Sequence, residues 1–192
     1  MTRIVAGSAR GRRLVVPKGD LTRPTSEIVR EALFNVLEAR NRLGGAKVLD
    51  LCAGSGALGL EAVSRGAAEA VLVDSSRQAA AAARENVSLV GTPRVAVIVS
   101  SVERYLNGRP PFAADLVFLD PPYAMGEDVV GAVLTGLTGQ GWLHEHALVL
   151  VERSTRSLEP RWPEGLHRRE VRRYGETAVW IASPERSGSL PH

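Results

Sequence analysis

From Lys47 to Val151 the sequence alternates short, largely apolar runs with amphipathic segments, and no other feature constrains the fold as much. The runs are Val48 to Leu51, Ala70 to Val73, Val95 to Val99, Leu116 to Leu119 and Ala147 to Val151. Between them, Leu58 to Arg65, Arg77 to Val90, Val102 to Asn107 and Glu127 to Leu137 carry helical spacing. Strands that are apolar on both faces belong to a parallel sheet with helices on either side, since right-handed crossovers lay helices on the faces. Two closing runs, Leu166 to Tyr174 and Thr177 to Ala182, are separated only by Gly175 and Glu176, which predicts an antiparallel hairpin finishing the sheet. The expected fold class is therefore α/β, a seven-stranded, mostly parallel sheet.

A chain of 192 residues has room for one full-sized domain and a small extension. Ile4 and Val5, the turn residues Gly7 to Gly11, and Leu14 to Val16 read as an N-terminal β-hairpin, so residues 1–22 are expected to form a basic arm. Residues 23–183 are expected to be the main domain and 184–192 a loose tail. Its first helix is expected to open around Pro24, with Thr25 or Ser26 as N-cap and Ile28, Val29, Ala32, Leu33, Val36 and Leu37 on its apolar face. The longest uncharged stretch, Val129 to Leu143, is too short and too polar to span a membrane, and the arginine-bearing N-terminus does not read as a secretory signal. A cytoplasmic location is expected. Cys52 is the one cysteine, and His144, His146, His167 and His192 lack ligand spacing, so neither a disulfide nor a metal site is expected. The net charge is only +3, but residues 1–18 hold Arg3, Arg10, Arg12, Arg13 and Lys18 with no acid, and seven arginines lie between Arg153 and Arg173. Clustered cations of this kind suit a phosphate-rich partner.

The first apolar run leads into Cys52-Ala53-Gly54-Ser55-Gly56-Ala57-Leu58-Gly59 and then a helix. Glycines in that position allow a tight turn and close approach of a nucleoside ligand to the backbone of Cys52, Ala53, Gly54, Ser55 and Gly56. Asp74 ends the second run, at the spacing where an acid accepts hydrogen bonds from ribose hydroxyls. Asp50, just before the turn, would repel a pyrophosphate and attract a cation. This points to S-adenosylmethionine, whose α-amino group and sulfonium are both positive. Ser75, after the ribose acid, and Ser101 and Val102, after the third run, are the remaining cofactor-binding candidates, the last two beside the adenine.

The fourth run ends in Asp120-Pro121-Pro122-Tyr123, at the carboxyl edge where an open α/β sheet binds its ligands. Two prolines cannot donate backbone hydrogen bonds and fix the chain, so the turn is an array of acceptors. Asp120 and the Pro121 carbonyl could each accept one N–H of a nucleobase amine and turn its lone pair toward an electrophilic methyl, while Tyr123 stacks on a flipped base. Asp120, Pro121, Pro122 and Tyr123 are the catalytic candidates.

Together, the Asp50 to Gly59 turn, Asp74 and Asp120 to Tyr123 resemble the Rossmann-like class I S-adenosylmethionine-dependent amino-methyltransferases. More narrowly, Arg3 to Gly7, Arg10 to Leu14, Arg23-Pro24-Thr25, Arg30 to Phe34 and Gly54 to Glu61 resemble the RsmD family of 16S rRNA guanine-N2 methyltransferases, over nearly the whole chain. The resemblance implies methylation of a guanine in 16S rRNA, in an assembled small ribosomal subunit, by a monomer. Ser101 and Ser75 depart from the family pattern, the first standing where many relatives carry Asp or Asn. Arg3, Arg10, Arg12, Arg13 and Arg23 are the RNA-binding candidates. A DNA adenine-N6 methyltransferase is the alternative reading, since it would share every cofactor residue; an RNA-binding assembly factor with a vestigial pocket and a nicotinamide oxidoreductase fit less well.

Overall fold

In a computed structural model that describes residues 2–17, 24–122, 124–139 and 141–184, one sheet of seven strands organises the protein. The strands are β1 (Lys47–Leu51), β2 (Glu69–Asp74), β3 (Val95–Val99), β4 (Ala114–Leu119), β5 (Leu143–Ser154), β6 (His167–Tyr174) and β7 (Thr177–Ser183). Their order is β3-β2-β1-β4-β5-β7-β6, with β1 to β5 parallel and β7 antiparallel to both neighbours. The chain order reverses between β1 and β4, the place where such sheets open a crevice for a ligand.

Helices α1 (Pro24–Ala39), α2 (Ala57–Ser64), α3 (Arg77–Val90), α4 (Val102–Leu106) and α5 (Glu127–Thr138) cover the sheet. Alternate strand residues point to opposite faces. Val48, Leu72, Leu116, Phe118, Leu148 and Leu150 therefore share one core with Leu33, Phe34 and Leu37 of α1. Leu49, Leu51, Val117, Leu119, Val149 and Val151 share the other with Val130, Val133 and Leu134 of α5. This two-sided burial is why the runs carry no polar alternation. Two boundaries differ from expectation. Strand β5 starts at Leu143, because that residue pairs with Ala114 across a register shift and carries the exposed His144-Glu145-His146 into the ladder. Helix α1 begins at Pro24, whose fixed φ suits a first helical position, and Ile28, expected on its apolar face, is 67% exposed while Phe34 is buried.

The N-terminal segment folds back on itself through the Ile4 N–H to the Arg12 carbonyl (2.9 Å) and the Leu14 N–H to the Thr2 carbonyl (2.9 Å), with one antiparallel bridge between Arg3 and Arg13. It is attached to the rest of the chain by both packing and hydrogen bonds. Ile4, Ala9 and Leu14 are part of the core. Fully buried Glu61 of α2 accepts the Val5 and Ala6 N–H groups (2.8 and 3.0 Å) and pairs with Arg65 (2.8 Å) and Arg30 (3.7 Å). Arg30 also donates to the Thr2 hydroxyl (3.2 Å) and the Arg3 carbonyl. Beyond the turn, Asn86 of α3 exchanges two hydrogen bonds with Val15 (2.7 and 2.8 Å) and donates to the Ser55 carbonyl (2.9 Å). Gly7 makes the close approach possible: its φ is +83°, and a Cβ there would lie 1.8 Å from the Ser64 carbonyl oxygen. Among the described residues, no helix is long and apolar enough to cross a membrane.

Candidate active site

A cavity of about 670 Å³ opens at the carboxyl ends of β1, β2, β4 and β5. Its volume lies in the range of small-molecule sites. It collects Asp50, Cys52, Ala53, Gly54, Ser55, Asp74, Ser75, Ser101, Val102, Asp120, Pro121 and Pro122. Of the cofactor candidates, Gly56 alone is not in that lining. Its position as N-cap of α2 turns it toward the core, where a Cβ would lie 2.7 Å from Leu72 Cδ1. Gly54, by contrast, has φ +55° and open space where a Cβ would stand. Arg3, Arg10, Arg12 and Arg13 lie outside the cavity, exposed on the N-terminal segment, where Arg3 faces Glu27 at 3.8 Å. Tyr123, Arg23, residues 18–22 and the tail from 185 onward lie outside the described residues.

Asp50 is 1% exposed. Its Oδ2 accepts the Gly59 N–H at 2.9 Å, fixing the first turn of α2, whereas Oδ1 is buried with no hydrogen-bond partner among the described residues. Burial pushes its carboxyl up to about 7; Asp120 and Asp74 push the same way, and the Gly59 hydrogen bond opposes them. A buried acid with one oxygen unsatisfied can accept a hydrogen bond from a group in the cavity. Asp74 accepts the Gly54 N–H through Oδ2 (2.8 Å) and the Ser76 N–H through Oδ1 (2.8 Å), so it holds the glycine turn as well as lining the cavity. Ser76 and Ser101 cap α3 and α4 through their hydroxyls (3.2 and 3.3 Å). The Cys52 thiol, in a left-handed backbone at φ 63°, is pushed up to about 12, by burial first and by neighbouring carboxylates after it, which suits a packing group and not a thiolate nucleophile.

The Asp120-Pro121-Pro122 turn is braced at both ends. The Asp120 N–H reaches the Leu51 carbonyl (3.4 Å), and the Pro122 carbonyl accepts the Met125 N–H (2.8 Å), so that carbonyl is occupied within the turn. Buried Arg153 of β5 donates to the Met125 carbonyl (3.3 Å) and pairs with Glu127 at the start of α5. Reading the sequence did not single out Arg153, nor Thr2, Pro17, Arg30, Met125, Glu152 and Thr177, which also line the cavity. Glu152 carried a usable signal: it follows its apolar run directly, as Asp74 and Asp120 follow theirs.

The family described as Conserved hypothetical protein 95 matches residues 2–183. Ribosomal RNA small subunit methyltransferase D of Escherichia coli (strain K12) is 36% identical over 190 residues, 97% of this chain and 91% of that protein. The chain belongs to the RsmD family. The Haemophilus influenzae protein of the same name is 34% identical over 155 residues, covering 78% of this chain and 77% of its own length. Among solved structures, Escherichia coli yhhF superposes with a TM-score of 0.84 at 31% identity, over 97% of this chain and 99% of that one. Membership covers the N-terminal segment as well as the sheet, so the closure of the cavity by Thr2 and Pro17 falls within the RsmD match.

Proposed function

We propose that this RsmD-family protein is an S-adenosylmethionine-dependent methyltransferase that modifies the exocyclic N2 amine of a guanine in small-subunit ribosomal RNA. One observation carries the reading: a buried carboxylate with an unpartnered oxygen, Asp50, shares a single cavity with the acceptor turn Asp120-Pro121-Pro122. The residues fit the cofactor. Asp50 Oδ1 would take its α-ammonium, Asp74 its ribose hydroxyls, the open backbone of Gly54 its close approach, and Ser75, Ser101 and Val102 its adenine end. Bound S-adenosylmethionine supplies a methyl group on a sulfonium; the N2–C bond forms as the S–C bond breaks, leaving S-adenosylhomocysteine. Asp120 and the Pro121 carbonyl accept the two amine N–H groups and draw the lone pair out of conjugation, and Asp120 takes up the proton the methylated amine sheds. Tyr123 holds the flipped base. Arg3, Arg10, Arg12, Arg13 and Arg23 lie against RNA phosphates.

The names of the Escherichia coli and Haemophilus influenzae relatives support ribosomal RNA as substrate. The protein would act in the cytoplasm, as a monomer, on the assembled small subunit, with residues 1–22 as its RNA-facing segment, 23–183 as the methyltransferase domain and 184–192 as a tail. The test is product mapping. Small subunits lacking the mark are incubated with the protein and S-adenosylmethionine, and the ribosomal RNA is digested for nucleoside mass spectrometry. N2-methylguanosine at one site is the expected product; methylation of adenine N6 in DNA, with none in the subunit, would give the assignment to the DNA-modifying alternative.

A further inference from the structure

Four acids lie toward the carboxyl ends of neighbouring strands, on one face of the sheet. Asp50 pairs with Leu72 and Phe118, and Phe118 pairs with Leu150, so these four side chains share a face. Two residues on, the pleat returns Asp74, Asp120 and Glu152 to that face, where all line the cavity. Asp120 and Glu152 stand side by side, each one residue past the paired Leu119 and Val151. Neighbouring strands run about 4.8 Å apart. Asp50 lines the same cavity, and its buried Oδ1 has no hydrogen-bond partner among the described residues. Arg153, on the opposite face, is occupied with Met125 and Glu127.

We infer that Glu152 reads the ring N1–H of the target guanine beside the amine held by Asp120, and so determines which base is methylated. This rests on the guanine-N2 reading proposed above. Two acceptors at strand spacing converge on two adjacent donors of one base edge. Guanine presents that pair, an exocyclic amine next to a ring N–H. Adenine and cytosine place a ring lone pair beside their amine, facing the carboxylate, and uracil has the ring N–H without the amine. A carboxylate is an acceptor only and cannot turn to meet a lone pair. Selection among amine-bearing bases is then built into the site by an interaction that the wrong base makes repulsive.

The experiment uses the full chain and small subunits reconstituted with ribosomal RNA carrying either guanine or 2-aminopurine at the target position. 2-Aminopurine keeps the amine and lacks the ring N–H. Single-turnover rates of the wild type should favour guanine by about 10- to 100-fold, the usual size of one base-edge discrimination. Glu152→Gln, which keeps the side chain's shape, and Glu152→Ala should bring that ratio down to within about threefold of one, with S-adenosylmethionine affinity measured by calorimetry unchanged. Asp120→Ala should slow both bases and leave the ratio standing. Wild-type discrimination that persists in both Glu152 variants, with both bases merely slowed alike, overturns the inference and leaves the function intact. A wild type that makes no N2-methylated guanine overturns the functional reading, and the inference with it.

Discussion

Asp50 ties the charge of the cavity to pH. Burial pushes its carboxyl up to about 7 in the folded chain from an ordinary value of 3.8, so the folded state holds this proton more tightly than the unfolded one. The contribution of Asp50 to stability is therefore greatest below about pH 4, is lost as pH rises toward 7, and is constant above that. A ligand ammonium needs the ionised acid, so cofactor binding below pH 7 must expel the proton. Affinity for S-adenosylmethionine should rise with pH, by up to about tenfold per unit, until it levels near 7, and should fall again once the ligand's amino group deprotonates near 8. Calorimetry in buffers of different ionisation enthalpy should record proton release at pH 6, and Asp50→Asn should abolish both the release and the slope. A pH-independent affinity in the wild type would detach Asp50 from the ammonium. At this scale the sequence was readable where a residue sits toward a strand's carboxyl end: Asp50, Asp74 and Asp120, singled out that way, all line the cavity, and so does Glu152, which the same rule covers but which was not singled out. Gly56 packs against Leu72 outside the cavity lining, and a glycine needed for packing and one needed for ligand approach look alike in sequence.

The N-terminal segment shows the limit of such reading for whole elements. Its arginines and turn glycines are plain in the sequence, but its anchoring is not, because the donors that Glu61 and Asn86 satisfy are backbone groups of Val5, Ala6 and Val15, which leave no residue-type signature. What looks like a detachable arm closes the cavity through Thr2 and Pro17 and braces the glycine turn through Asn86 and Ser55. Deleting residues 1–17 should therefore lower thermal stability and S-adenosylmethionine affinity together. Replacing Glu61 by Ala strands Arg30 and Arg65, both nearly buried, and should cost about 3–5 kcal/mol in denaturant unfolding. The outward cations can be tested without that damage. Arg10, Arg12 and Arg13 are exposed, and replacing all three by Gln should leave stability and cofactor binding unchanged while the log-log salt slope of RNA binding shrinks by roughly 0.7 to 0.9 per lost phosphate contact. An unchanged slope would put the RNA elsewhere.

For the molecule as a whole, the sheet was the most legible part, since strands buried on both faces must be apolar throughout and the two antiparallel strands follow from a two-residue link. What local pattern could not supply was which distant backbone each buried polar side chain would meet. Those meetings span long stretches of chain: Val5 and Glu61 are 56 residues apart, and Val15 and Asn86 are 71 apart. Such distances carry a consequence for the order of events during synthesis. The first residues to leave the ribosome find no partner until α2 and α3 have been made, so the beginning of the chain settles after the elements that immediately follow it. In pulse-labelled hydrogen exchange during refolding, the amides of Val5, Ala6 and Val15 should gain protection no sooner than those of β1 and β2; earlier protection would mean that the turn forms without its docking site. Docking of the segment also adds Thr2 and Pro17 to the cavity wall, whose far side, Asp120, Glu152 and Thr177, comes from chain made only after α3 is complete.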